Sequence, residues 1–228
     1  KGAAAEIGVA GLSRARLVDR RITGLLSPGN RVERYRDQRA CGPFPLPSAL
    51  RLLESLYGIG MNLFELTRTL VDIESITGNE EKVGRFLFAH LSELAAQTGG
   101  RVEIMDVEPG RFNVFAHWGE PVVTLSTHMD TVPPFIPPTE DDEKIYGRGA
   151  CDAKGIIAAQ ITAAEQLRTE GINDIGLVYT VEEERASTGA KALNLHPLAA
   201  KCEYMINGEP TDNDLAVGSK GTFRLIIK

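Results

Sequence analysis

The sequence contains few of the residues that mark disulfide-rich or zinc-knuckle proteins. Its 228 residues include three cysteines and four histidines. The cysteines, Cys41, Cys151 and Cys202, are odd in number and widely spaced, so neither a disulfide framework nor a CxxC zinc site is predicted. We therefore expect reduced thiols and a cytoplasmic location.

Long apolar runs and an excess of positive charge are also missing. No apolar stretch approaches the roughly 18 residues of a membrane-spanning helix, and the first residues lack the apolar region of a secretory signal. The net charge of −6 argues against nucleic acid as a partner. The remaining composition, 43% hydrophobic and 25% charged, is ordinary for a soluble globular protein. We expect neither a membrane nor nucleic acid as a partner.

The first 60 residues differ in composition from the rest. They hold ten basic and five acidic residues, whereas acidic residues outnumber basic ones from Met61 onward. Only residues 48–58 in this part show the periodicity of a short amphipathic helix. We interpret residues 1–60 as an N-terminal extension. A fused segment, or upstream sequence translated ahead of a true start at Met61, are the alternatives.

From Met61 onward, helix and strand patterns alternate. A helix is predicted over 62–75, and Thr77 and Glu80 form the pattern of a capping box before a second helix that ends at Gly99. Further strands are predicted at 102–107, 112–118, 121–127, 175–181 and 203–207, further helices at 155–171 and 187–195, and another β segment over 214–228. This alternation predicts an α/β fold, with helices on both faces of a sheet.

Four acidic clusters follow predicted strands or lie in the loops after them, where open α/β sheets place their sites. They are His128 with Asp130, Asp152 in a glycine-rich loop, the run 182-EEE-184, and Glu209. A single histidine after a strand is more often structural, and three glutamates are more often a solvated surface. Here, however, the glutamates directly follow an apolar strand, so a cation is expected to offset their charge. Ligands of this kind without cysteine suit zinc, with cobalt or manganese as alternatives.

Other candidate motifs favour less specific interpretations. His90, His117 and His196 are interpreted as structural or solvated. The loop 147-GRGACDAKG-155 has neither the glycine and lysine spacing of a phosphate-binding loop nor that of a dinucleotide-binding loop. The sequence lacks GxSxG, which argues against a serine hydrolase.

Four motifs in this order, 126-STHMDTVP-133, 146-YGRGACDAKG-155, 181-VEEERASTGA-190 and 207-NGEPTD-212, resemble a family of zinc amidohydrolases. The family includes acetylornithine deacetylase, succinyl-diaminopimelate desuccinylase, aminoacylase and the glutamate carboxypeptidases. The resemblance covers about residues 61–228. It implies a zinc-exopeptidase-like catalytic domain, with a mixed central sheet flanked by helices.

The resemblance also implies a role for each matching residue. It assigns the ligands of two zinc ions to His128, Asp152, Glu184 and Glu209, with Asp152 bridging the ions. Asp130 matches the carboxylate that orients His128. Glu183 matches the general base, which takes a proton from a metal-bound water and returns it to the leaving amine.

The implied reaction is hydrolysis of an amide bond in an N-acyl amino acid or a small peptide, as in the deacetylases and desuccinylases of amino-acid metabolism. Full-length family members are longer and can form homodimers. After a Lys-Gly pair like 220-KG-221 they insert a smaller lid and dimerisation domain, and they then supply a final histidine ligand. The resemblance therefore predicts that residues 61–218 are the N-terminal part of the catalytic domain and that 219–228 begin a truncated lid domain.

The lid domain and the final histidine ligand contribute to activity in the longer family members. A chain without them is expected to have little or no activity. The alternative to an active hydrolase is a catalytically inactive, metal-binding remnant of such an enzyme.

Overall fold

The computed structural model describes residues 61–216 of the chain. The helices are α1 (Leu63–Asp72), α2 (Glu81–Thr98), α3 (Lys154–Thr169) and α4 (Thr188–Leu195). The strands are β1 (Arg101–Glu108), β2 (Arg111–Trp118), β3 (Val123–His128), β4 (Thr139–Glu140), β5 (Ile145–Tyr146), β6 (Ile175–Thr180) and β7 (Tyr204–Asn207). The predicted extension 1–60, its helix at 48–58 and the predicted start of a lid domain at 219–228 lie outside the described residues.

Five of the strands form a mixed sheet in the order β1-β2-β6-β3-β7. Strands β1 and β2 are antiparallel, and so are β2 and β6, whereas β3 runs parallel to both β6 and β7. The predicted α/β fold with a mixed central sheet flanked by helices is therefore confirmed. Because β6, β3 and β7 are parallel, the loops that follow them emerge at one edge of the sheet.

Both faces of the sheet bury apolar side chains. Alternate residues of each strand point to opposite faces, so Val114 and Leu177 join the large core with α1, α2 and α3, while Phe115 and Val178 face the other side. On that second side they pack with Leu193 of α4 and with a few neighbouring residues. The sheet is thus a fixed platform on which the strand ends are held.

The predicted elements agree with the structure except in short segments. All five predicted strands between 102 and 207 and the four helices between 62 and 195 are present, with boundaries shifted by a few residues. The two-residue strands β4 and β5, which pair with each other, were not predicted. Residues 214–216 have no regular structure, and the rest of the β segment predicted over 214–228 lies outside the described residues. Within 61–216, no helix has both the length and the apolar character needed to cross a bilayer.

The capping box predicted at Thr77 and Glu80 is wrong. Helix α2 begins after Glu80, which makes no capping hydrogen bond through its side chain. The Thr77 hydroxyl instead donates to Asp130, and Glu80 binds Arg111. The pattern was matched locally, but both side chains have partners far away in the chain.

A capping box is present one helix earlier, at the start of α1. The Asn62 side chain accepts the backbone N–H groups of Phe64 and Glu65, each at 3.0 Å. The Glu65 carboxylate in turn accepts the backbone N–H of Asn62 at 3.1 Å. These bonds satisfy donors that a helix leaves without partners in its first turn.

Replacing this cap should destabilise the protein. We expect Asn62→Ala to lower the free energy of unfolding by about 1 kcal/mol, because two N–H groups lose their acceptor. Urea denaturation followed by circular dichroism measures the change. Asn62→Asp is the matched control, because aspartate caps as well as asparagine. Equal losses in both variants would contradict the capping role.

Candidate metal centre

The predicted site residues meet at the C-terminal ends of the parallel strands. His128 ends β3, Glu183 and Glu184 follow β6, and Glu209 follows β7. Asp152 comes from the glycine-rich loop that leads into α3. The parallel arrangement of β6, β3 and β7 therefore brings together residues that are far apart in sequence.

His128 is at the centre of this group. Its side chain is only 1% exposed. Its Nε2 atom lies 2.9 Å from Oδ1 of Asp152 and 3.8 Å from Oε2 of Glu209. Its Nδ1 atom lies 3.0 Å from the backbone carbonyl oxygen of Asp130, which fixes the ring orientation and directs Nε2 toward the carboxylates. A ligating histidine is commonly held in this way through its second ring nitrogen.

The tightest cluster of potential ligand atoms comprises His128, Asp152 and Glu184. Each offers one ligand atom, and these atoms all lie within 4.8 Å of one another. Glu209 is close to His128 but does not belong to this cluster, and its other carboxylate oxygen accepts a hydrogen bond from Asn207 at 3.1 Å. The structure thus brings all four predicted ligands to one place, with Glu209 the least closely packed.

The electrostatics of this cluster favour a cation. Burial raises the pKa of Glu184, and the charges of Asp152 and Glu183 raise it further. The pKa of Glu209 is raised by burial and by the charges of Glu183 and Asp152. Glu184 and Glu209 thus lie among negative charges that raise their pKa values, and a bound cation would relieve this excess of negative charge.

The pKa of His128 reports the same excess of negative charge. Burial alone would lower the pKa of its imidazole. The hydrogen bond to Asp130 and the charges of Asp130, Glu209 and Asp152 outweigh burial and raise it to about 9. A divalent cation held by the same atoms takes the place of that proton, because zinc binds neutral imidazole.

Asp130 links three segments of the chain through one buried carboxylate. Its side chain is fully buried. It accepts the Thr77 hydroxyl at 2.8 Å and the backbone N–H groups of Glu183 and Glu184 at 2.9 and 3.3 Å. The contact with His128 and the hydrogen bonds from Thr77 and Glu183 lower its pKa despite its burial. The predicted contact with His128 is also present, at 3.3 Å from Nδ1, but the backbone carbonyl oxygen of Asp130 is the nearer acceptor.

Two close backbone approaches position Asp152 and Glu209, and each requires glycine. A Cβ atom on Gly155 would lie 2.3 Å from the carbonyl oxygen of Ala150, so only glycine lets the loop carrying Asp152 fold back on α3. A Cβ atom on Gly208 would lie 2.4 Å from Cγ2 of Ile156. Gly208 therefore sits against α3, directly before Glu209.

Asn113 was not identified from the sequence, although it holds the loop that carries the glutamates. This fully buried side chain accepts the backbone N–H of Val181 at 3.1 Å and donates to the carbonyl oxygen of Gly189 at 2.9 Å. It thus joins the two ends of the segment 181–189. The available signal was an asparagine within the otherwise apolar strand pattern 112-FNVFAHW-118.

Comparison with known sequences identifies relatives over most of the described residues. Residues 124–220 match the sequence model of Peptidase family M20/M25/M40. A Peptidase M20 domain-containing protein of Schizosaccharomyces pombe is 42% identical over 183 residues, which cover 76% of this chain and 44% of the relative. A probable carboxypeptidase of Aspergillus terreus is 39% identical over 170 residues, which cover 68% of this chain and 39% of the relative. The chain spans less than half the length of these curated relatives.

Solved structures show the same fold. The crystal structure of aminopeptidase PepT from Bacillus cereus aligns with 65% of this chain and 43% of its own, at 25% identity and a TM-score of 0.53. Human carnosine dipeptidase 1 aligns with 64% of this chain and 38% of its own, at 23% identity and a TM-score of 0.51. At that identity the second likeness concerns the fold alone.

The Thr77 hydroxyl should contribute measurably to stability. We expect Thr77→Val to lower the free energy of unfolding by roughly 1–3 kcal/mol, because the buried Asp130 carboxylate loses a donor. Thr162→Val is the control, since the Thr162 hydroxyl bonds only to a carbonyl of its own helix, that of Ala158. Chemical denaturation measures both. A loss no larger than that of the control would show that Asp130 does not depend on Thr77.

Proposed function

We propose that this chain, whose residues 124–220 match the sequence model of peptidase family M20/M25/M40, belongs to that family and that its described domain binds divalent metal ions and serves amide-bond hydrolysis. One observation carries the proposal. Ligand atoms of His128, Asp152 and Glu184 lie within 4.8 Å of one another at the ends of parallel strands. A structural cluster of carboxylates would spread apart in water, whereas this cluster surrounds a buried imidazole.

The residues fit zinc on chemical grounds. Zinc prefers imidazole nitrogen and carboxylate oxygen at about 2 Å, so its ligands must lie within a few ångströms of one another. His128 is already oriented through Nδ1, which leaves Nε2 directed toward Asp152. We propose His128, Asp152 and Glu209 as ligands of one ion, with Glu184 and the shared Asp152 serving a second. Zinc is the proposed metal, with cobalt or manganese as alternatives of similar ligand preference.

Glu183 is the proposed general base. Its side chain is exposed, and its charge acts on both Glu184 and Glu209, so it lies beside the ligand cluster and can still reach substrate. Metal ions, when bound, acidify water and polarise the amide carbonyl. The Glu183 carboxylate then accepts a proton from water and later gives it to the leaving nitrogen. The Asp130 carboxylate accepts the backbone N–H of Glu183 and so holds that backbone in place.

The proposed substrate is a small peptide or an N-acyl amino acid. The Aspergillus terreus relative is named a probable carboxypeptidase, and the structure matched at 25% identity is an aminopeptidase. Both names describe cleavage of a peptide bond near a chain end. This supports peptides more strongly than the deacetylase or desuccinylase substrates that the motifs first suggested. The cytoplasmic location and the homodimer of full-length members stay predictions.

Zinc binding tests the proposal directly. We expect the 228-residue chain to bind zinc and to gain about 2.7 kcal/mol of stability at a free zinc concentration 100 times Kd. His128→Asn should abolish most of this gain, because the central ligand is lost. His117→Gln is the control, since His117 pairs with Gly176 at the opposite end of the sheet. Thermal melts with and without zinc, together with metal analysis after dialysis, make the measurement.

The outcomes of the zinc experiment separate clearly. A zinc-dependent rise in Tm in wild type and in His117→Gln, but not in His128→Asn, supports the proposed centre. A rise that survives His128→Asn would place the metal elsewhere. Folded wild type that binds no zinc, cobalt or manganese would refute the proposed function.

Glu183→Gln separates catalysis from metal binding. On any dipeptide or N-acyl amino acid that zinc-loaded wild type cleaves, we expect kcat to fall by roughly 100-fold or more, since a general base is lost. Zinc affinity should stay unchanged, because Glu183 is not a proposed ligand. Wild type that binds zinc but cleaves none of a broad panel would favour the alternative, a metal-binding form without catalysis. An active Glu183→Gln variant would exclude Glu183 as the base.

A further inference from the structure

The three consecutive glutamates do not face the same way. Glu182 has φ 61°, in the left-handed region that non-glycine residues rarely adopt. Its carboxylate accepts the Thr188 hydroxyl and lies 3.6 Å from Nη1 of Arg111. The backbone N–H groups of Glu183 and Glu184 instead point at Asp130. The chain therefore turns at Glu182, and this turn separates the Glu182 carboxylate from those of Glu183 and Glu184.

Arg111 is held in a single orientation before it meets Glu182. Its Nε and Nη2 atoms donate to the two carboxylate oxygens of Glu80, at 2.9 and 2.7 Å. The Glu80 side chain is 0% exposed and that of Arg111 only 12%. Its Nη1 atom donates to Glu108 at 2.8 Å. Such two-pronged bonding fixes the plane of the guanidinium group, and a buried carboxylate depends strongly on its partner.

The position of Arg111 in the sheet explains why it reaches this loop. It is the first residue of β2, which runs antiparallel to β6. The start of β2 therefore lies beside the end of β6, where the glutamates begin. Two residues further along β2, Asn113 joins Val181 to Gly189. Strand β2 thus contacts the loop 181–189 at both ends, through Asn113, and at the turn, through Arg111.

We propose that Arg111, fixed by Glu80, is a positioning residue for the loop 181–189. Its ion pair with Glu182 holds the left-handed turn, and this turn directs Glu183 and Glu184 toward Asp130, His128 and Asp152. A left-handed non-glycine residue persists where its surroundings determine its conformation. The assignment rests on the proposed function only for the roles of Glu183 and Glu184, not for the geometry of the loop.

The charges give the ion pair a second effect. Three adjacent carboxylates repel one another, and a flexible loop would let them spread into solvent. Arg111 offsets the charge of Glu182. The pKa of Arg111 is raised mainly by its hydrogen bond to Glu80, with smaller contributions from Glu108 and Glu182. Glu183 and Glu184 are then the two glutamates left to act near the ligand cluster. From the sequence, a cation was expected to offset the charge of the three glutamates. For Glu182, the side chain of Arg111 supplies that positive charge.

The test compares two glutamates that contact the same atom of Arg111. Glu182→Gln keeps shape and can still accept from Thr188, but it removes the charge that faces Nη1. Glu108→Gln removes the other partner of Nη1, which lies on β1 and not on the loop. Both variants are made in the 228-residue chain. Metal-free thermal melts establish first that each variant is folded.

Hydrogen exchange provides the first readout, and it requires no metal. In Glu182→Gln we expect amides of residues 181–189 to exchange about two- to five-fold faster than in wild type, the factor that one such ion pair contributes. Amides of β6 and β3 should be unchanged, and Glu108→Gln should resemble wild type throughout. Equal exchange in the loop of wild type and Glu182→Gln, or a rise spread over the whole sheet, would overturn the proposal.

Zinc affinity provides the second readout. We expect Glu182→Gln to bind zinc about 10-fold more weakly than wild type, as removal of residues that support ligands typically does. Arg111→Lys keeps the charge but loses the two-pronged bond to Glu80. It should also speed hydrogen exchange in residues 181–189 and weaken zinc binding. A purely structural role would lower the melting temperature and leave zinc affinity unchanged, which would also overturn the proposal. If wild type binds no zinc, cobalt or manganese, the proposed function fails, while the exchange comparison still decides the role of Arg111.

Discussion

The candidate centre depends on one buried carboxylate, that of Asp130. It receives the Thr77 hydroxyl and the N–H groups of Glu183 and Glu184, while the backbone carbonyl of the same residue holds His128. An ionised group of this kind is stable in the interior only when donors surround it. The need to satisfy Asp130 therefore ties the early loop, the end of β3 and the glutamate loop together. The positions of His128 and Glu184, two of the proposed ligands, follow from this constraint.

The acidic residues around Asp130 fall into two groups that face different positive side chains, Arg111 and His128. Glu80 and Glu182 are neutralised within the protein by Arg111. Within residues 61–216, Asp152, Glu184 and Glu209 form no ion pair with an arginine or a lysine, and the positive group beside Asp152 and Glu209 is the His128 ring. The first group stabilises the scaffold, and the second leaves negative charge directed at one imidazole. This division explains how a strongly acidic edge of the sheet can be both folded and ready to bind a cation.

The sheet, its helices and the location of the site were predictable from the sequence, because periodicity and strand ends are local signals. The gathering of His128, Glu184 and Glu209 follows from the parallel strands, whereas Asp152 is brought in by the loop that leads into α3. Thr77 and Glu80 were misread because their partners are 53 and 31 residues away, beyond any local pattern. Arg111 and Asn113 were missed for the same reason. Strands β4 and β5 are too short to show periodicity.

Glu209 is attached to the least protected strand of the sheet. All four residues of β7 are exposed, and within residues 61–216 its outer edge has no neighbouring strand. A cation bound jointly by Glu209 and His128 would bridge β7 to β3. Pairing of the edge strand and occupancy of the centre would then be thermodynamically linked, each favouring the other to the same extent. A group that covered the open edge of β7 would therefore also tune how tightly such a cation is held.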